Sequence, residues 1–228
     1  MTEPESNSSK RFLSSGVEPL IMIGWQAFLF LALSNTVSSG FSETHSTLST
    51  IVGYAREAVT HITPFVAPLF IAAYVLIYVL RAMGKNARFV LDCLGIFLVV
   101  RTIAGFLVLN FLIVNPLTDN MMLLRQFLCF MPALIIGWGW IYWRLDQGAR
   151  IQGRQLMLFP EDLPSDLREP LSTFDYYYHS AMVAFIFELS EVEPLSKWMK
   201  ILFLINAAMM LDLVGLVLTQ AIGLAGTK

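Results

Sequence analysis

The chain has 228 residues, 56% of them hydrophobic and only 14% charged, with a formal net charge of -2. Soluble globular domains carry about 25% charged residues, and a near-neutral chain has no bulk attraction for nucleic acid. The composition therefore argues against both classes and points to apolar segments placed in a bilayer.

Residues 1–16 are polar and Ser-rich, with Lys10 and Arg11, and read as a disordered tail. Leu20 to Val37 is the first apolar run. Its small flanking residues resemble a signal-peptide end, but further spans follow, so an uncleaved helix is expected. Ser38 to His61 is a polar loop. Ile62 to Leu80 is the second span, with Pro64 and Pro68 in its first turns, where proline is best tolerated. A short basic turn, Arg81 to Arg88, leads to a third span from Phe89 to Val114, ended by Asn115-Pro116.

Met121 to Trp143 is the fourth span, closing in WGWIYW, an aromatic cluster expected at a membrane–water interface. The 144–172 segment carries Arg144, Arg150, Arg154 and Arg168 among three prolines. Phe174 to Leu189 is a short apolar stretch, and Leu195 to Leu224 a long final helix behind Pro194. The expected organisation is a tail over 1–18, a four-helix membrane region over 19–143, a basic cytoplasmic loop over 144–172 and a helix pair over 173–226. That is an all-α, polytopic transmembrane bundle of six helices.

Lys and Arg gather in the tail, the 81–88 turn and the 144–172 loop, whereas 38–61 holds only Arg56 and 115–120 none. The positive-inside bias puts the first set in the cytoplasm. The expected setting is a multi-pass protein of the cell inner (plasma) membrane. If 174–189 is a full crossing, about 24 Å long, both termini are cytoplasmic. The alternative is five crossings plus a re-entrant helix.

The stretch FDYYYHSAMVAFIFELSEVEP, from Phe174 to Pro194, resembles the pore segment of the two-helix potassium-channel superfamily, patterned D-x-x-Y-x-S-F-x-T-x-T-T-V-G-Y-G-D-x-x-P. Asp175, Tyr178, Ser180 and Pro194 match without gaps, and Glu191 stands where an acidic residue follows the filter. In this frame the filter becomes Ile186, Phe187, Glu188, Leu189 and Ser190. A potassium filter replaces ion hydration with rings of backbone carbonyls, and its glycines adopt angles other residues resist; selectivity for potassium is not implied here. With WIYWRLDQG (140–148) and LFP (158–160), residues 120–226 are also similar to a family of bacterial integral membrane proteins without an assigned activity. The resemblances imply a membrane location and a pore-type ancestry.

Ionisable groups inside spans are costly and are functional candidates. Arg101 and Asp212 lie near the middle of their helices, and equal depth predicts an ion pair. Arg125 and Glu188 form a second candidate pair near the outer end. Asp92 lies near the inner end, within reach of Arg81, Arg88 or Arg144. These groups either fix helix register or line an ion, proton or substrate pathway. Gly215, Thr219 and Gly223 recur every fourth residue and offer a smooth stripe. It packs either within one chain or between copies in a homo-oligomer.

Tyr176, Tyr177 and Tyr178 read as interface anchors. Cys93 and Cys129 read as core thiols rather than a disulfide. No ligand spacing for a metal, nucleophile–base pair or phosphate loop is present, so neither metal, cofactor nor enzymatic activity is expected. The lipid bilayer is the expected partner. Two functions remain: a channel-like or transport protein without a potassium filter, or a non-conducting scaffold or partner subunit that reuses the pore fold.

Overall fold

The computed structural model describes residues 17–33, 65–66, 68–85, 87–114, 120–162, 171–186 and 192–225. Among these the protein is all-α, with six helices: α1 (Val17–Leu33), α2 (Pro68–Ala82), α3 (Arg88–Val114), α4 (Asn120–Ile151), α5 (Thr173–Ile186) and α6 (Lys197–Ala225). Three of them, α3, α4 and α6, are long and apolar enough to cross a membrane. A two-residue strand pair, β1 (Met157–Leu158) and β2 (Glu193–Pro194), completes the fold.

Two glycines set where helices stop. Gly84 and Gly153 have positive φ, 66° and 70°, a region other L-residues resist. Lys85 N donates to Leu80 O while Gly84 N donates to Arg81 O. Arg154 N donates to Ala149 O while Gly153 N donates to Arg150 O. Both ends are thus Schellman caps, which satisfy the last carbonyls of α2 and α4.

Helix α4 is the hub, packing against α1, α3, α5 and α6. Its glycines admit large rings from neighbouring helices. A Cβ on Gly137 would lie 2.7 Å from the Trp25 ring, and one on Gly139 would lie 2.4 Å from the Tyr177 ring and 3.0 Å from the Tyr177 Cα. Trp140 in turn fills the space left by Gly95 on α3, where a Cβ would meet its ring at 2.1 Å. The WGWIYW cluster is therefore not an interface belt. Trp138, Trp140, Tyr142 and Trp143 are all buried core residues, because the glycines between them let neighbouring helices close in.

Residue pairs fix the direction of each helix. Asp92 meets Arg144, and Phe106 meets Phe130, so α3 runs antiparallel to α4. Tyr176 meets Asp146, and His179 meets Tyr142, so α5 also runs antiparallel to α4. Phe203 touches both Tyr142 and His179. Helices α5 and α6 therefore rise side by side from the end where α4 stops.

The strand pair closes the argument. Met157, just past α4, pairs with Pro194, just before α6, and Leu158 pairs with Glu193. Leu195 N adds a bond to Leu156 O. The chain thus enters α5 and leaves it for α6 at one end of the bundle. This differs from the one-way path expected over 174–189: the start of α5 and the start of α6 share one end of the bundle. It also places Val17 and Ala225 at opposite ends of the bundle, because α1 and α6 start together.

The close approach of α5 to α4 rests on Gly139. Gly139→Val is expected to destabilise the fold by about 1–3 kcal/mol, read as a lower midpoint in detergent unfolding. Gly215→Val, where a Cβ meets nothing within 4 Å, is expected to leave it unchanged.

Candidate functional site: the junction of α4, α5 and α6

The last turns of α4 carry Asp146 and Arg150, one helical turn apart. Asp146 is fully buried (0% exposed) and accepts four hydrogen bonds. Oδ1 receives Leu156 N at 2.8 Å and Met157 N at 3.1 Å. Oδ2 receives Arg150 Nε at 2.6 Å and the Tyr176 hydroxyl at 2.7 Å. Arg150 also grips Asp162 through Nη1 and Nη2 at 2.7 and 2.8 Å, and donates to Met157 O. Asp162 further accepts from Gln155 and from Phe159 N. Burial alone would raise the Asp162 carboxyl, but the Arg150 guanidinium and the Phe159 amide outweigh it and hold it below the usual carboxylate range.

Every oxygen of Asp146 is occupied. It works as a latch joining α4, β1 and α5, with no lone pair left for a ligand. Tyr176 is accordingly buried and bonded rather than an interface anchor, while Tyr178 is half exposed.

Above this latch, Tyr142, His179, Ser180 and Asn206 are buried together between α4, α5 and α6. The Asn206 amide lies beside the Tyr142 hydroxyl. Ser180 Oγ has no hydrogen-bond partner among the described residues, and the Asn206 amide has only the neighbouring Tyr142 hydroxyl. The amide of Gln126, 2% exposed, likewise has no partner among the described residues. Buried polar atoms of this kind are normally satisfied by ordered water or a ligand.

A second charged cluster lies at the same end of the bundle. Asp92 accepts from Arg144 Nε at 2.7 Å and Nη2 at 2.5 Å, and from Arg88 Nε at 3.1 Å. Arg88 also reaches Glu18 at 2.7 Å and stands 5.1 Å over the Trp143 ring. Trp140 Nε1 donates to Glu18 at 3.2 Å. Of the three cations considered for Asp92, Arg88 and Arg144 are the ones in contact.

The other expected pair is not formed. Arg101 is buried, and its Nη1 donates to Gln26 Oε1 on α1 at 2.6 Å. Asp212 is exposed on α6. The side chain of Arg101 is turned toward α1, whereas that of Asp212 is exposed. Arg125 is exposed on α4, and Glu188 lies outside the described residues, as do Phe187, Leu189 and Ser190. Ile186 is the last residue of α5.

On α6 Thr219 donates to Gly215 O at 2.8 Å. Gly215 and Thr219 face no other helix of the described chain, and the surroundings of Gly223 lie outside the described residues. Both cysteines are free, and Cys93 is exposed rather than in the core. Among the described residues no group of three or more His, Cys, Asp or Glu is placed to hold a metal.

Sequence reasoning passed over Asp146 and Asp162. The signal was the i,i+4 spacing of Asp146 and Arg150 beside the Gly153 stop, which marks a charged pair at a helix end.

Fold and site together define an all-α helical bundle in which three helices are long and apolar enough to cross a membrane. Comparison with protein-family models, curated proteins and solved structures finds no match for this chain.

Asp146→Ala leaves Arg150 beside a void, and an expected loss of about 3–5 kcal/mol follows. Tyr176→Phe removes one of four donors and costs about 1 kcal/mol. Unfolding midpoints of the two variants in detergent measure the ratio. Because the Asp162 carboxyl is depressed below its ordinary 3.8, its contribution is present above that pH and is lost as pH falls through the lower folded value. Proteolysis of the 152–172 segment should accelerate only in that acid range, and Asp162→Asn should remove the pH step.

Proposed function

We propose that this protein is a pore-type membrane protein, channel-like or transporting, in which the α4–α5–α6 units of several copies enclose a polar pathway. The observation that carries the reading is the β1–β2 pairing, which returns the chain to the end where α5 began. A segment that turns back at membrane depth has backbone groups that lipid cannot satisfy. Such segments are tolerated only inside protein or against a water-filled cavity.

Two further observations support it. The Ser180 hydroxyl, without a hydrogen-bond partner among the described residues, and the Asn206 amide are buried between α5 and α6. Phe174, Tyr178 and Phe185 on α5 are exposed, as are Asp212, Gly215 and Thr219 on α6. A neighbouring copy covering this face would shield both the turn and the Asp212 carboxylate, which is costly in lipid. The Lys and Arg bias assigns the end bearing the 81–88 turn and the Asp146 latch to the cytoplasm of the inner membrane. The helix α5 then enters from the cytoplasmic side, and α6 ends outside. The reading involves no catalysis. A non-conducting scaffold is the second reading, favoured by the fit of buried Val183 and Ala184 on α5 and by the absence of filter glycines.

Single cysteines at Gln152 and Glu193, in a chain lacking Cys93 and Cys129, test the topology. Both are expected to label from the cytoplasmic side only; labelling from opposite sides refutes the re-entrant helix. Cation and anion flux into vesicles containing the protein tests conduction. Flux above empty vesicles, altered by Asp212→Asn, is expected; its absence at every potential leaves the scaffold reading.

A further inference from the structure

Helices α1 and α5 both pack on α4 but do not close on each other, and a half-open cleft of about 490 Å³ remains between them. Its volume lies in the lower half of the ordinary range for ligand sites, about 300–1,000 Å³. Ile21 of α1, Ile136 of α4 and Phe174 of α5 give it apolar walls. From Val17 to Gly24 the cleft runs about 10 Å along α1.

The lining is graded along this length. Glu18 and Ser172 stand where α1 and α5 start, whereas Gly24 and Ile136 lie deeper in the bundle. Glu18 is 6% exposed. Its Oε2 accepts from Arg88 at 2.7 Å and its Oε1 from Trp140 Nε1 at 3.2 Å. A carboxylate can accept about four hydrogen bonds, so these two leave lone pairs unused. Tyr177, one turn into α5, lines the same cleft within electrostatic reach of Glu18. Its hydroxyl has no hydrogen-bond partner among the described residues. Ser172 is engaged by Asp175, which caps α5 and stands outside the lining.

A donor without an acceptor and an acceptor with spare capacity thus border one cleft. The Glu18 charge is already balanced by Arg88, so an ionised head would bring a buried charge with no counter-charge. A hydroxyl fits both groups, because one oxygen accepts from the phenol and donates to the carboxylate.

We propose that this cleft binds an uncharged single-chain alcohol, its hydroxyl between Tyr177 and Glu18 and its chain running past Ile21 and Gly24 toward the lipid. The site is separate from the Asp146 latch, and the inference does not depend on conduction.

The test is photolabelling of the full chain in detergent with a diazirine analogue of dodecanol, mapped by peptide mass spectrometry. Labelling is expected on α1 and α5. Dodecanol should compete better than dodecane, dodecylamine or dodecanoate, and better than dodecyl methyl ether, which accepts a hydrogen bond but cannot donate one. Tyr177→Phe keeps the ring and removes the unpartnered hydroxyl; the dodecanol needed for half-competition should rise about fivefold, with that of dodecane unchanged. A Cβ at Gly24 meets nothing within 4 Å. Gly24→Phe therefore fills the cleft without displacing a neighbour, and should abolish the α1 and α5 labelling while the unfolding midpoint is unchanged. Equal competition by dodecanol and the ether, or better competition by the amine or the carboxylate, overturns the hydroxyl assignment. Unchanged competition in Tyr177→Phe overturns the phenol as its donor. Undiminished labelling of folded Gly24→Phe overturns the cleft as the site.

Discussion

The Asp146 carboxylate, buried at the end of α4, ties the C-terminal half together. Its two oxygens take a guanidinium N–H, a phenol O–H and two backbone amides. The amides belong to Leu156 and Met157, at the start of β1; the phenol belongs to α5. One ion thereby positions the turn after α4, the strand that receives β2, and the entry of α5. A buried charge is tolerated only when its hydrogen bonds are complete, and this completeness makes the arrangement specific. Loss of a donor leaves a poorer latch, and loss of the acid leaves Arg150 facing Asp162 alone.

The glycine and aromatic pattern of α4 follows from the same demand for a close-packed hub. Between helices in a bilayer, van der Waals packing replaces much of the hydrophobic drive that operates in water. Gly137 and Gly139 let Trp25 and Tyr177 approach the α4 backbone, while Trp140 occupies the notch at Gly95. The large rings supply contact area, and the small residues supply access. Their N–H and O–H groups still need partners, which Glu18, Thr102 and Asp146 provide for Trp140, Trp25 and Tyr176.

Against this closely bonded end, the region around Ser180 and Asn206 stands out. Ser180 Oγ there has no hydrogen-bond partner among the described residues, although the Asp146 latch one helical turn away shows that the fold can satisfy such groups fully.

The sequence by itself determined the membrane class, the helices and their approximate ends. Apolar runs of span length, separated by prolines, glycines and charges, leave few other solutions, because backbone groups in lipid must be bonded within a helix. Only the tertiary structure decided azimuth and return. Arg101 bonds Gln26 because its side chain leaves α3 toward α1, and a one-dimensional depth scale carries no such angle. The aromatic run of α4 is core because its glycines face rings from distant segments. The course of α5 was decided by two residues pairing with two, Met157 and Leu158 with Pro194 and Glu193. That contact between residues 35 and 37 positions apart leaves no periodicity in the sequence, and charge bias is satisfied equally by a short crossing and by a helix whose chain returns to the side it entered from.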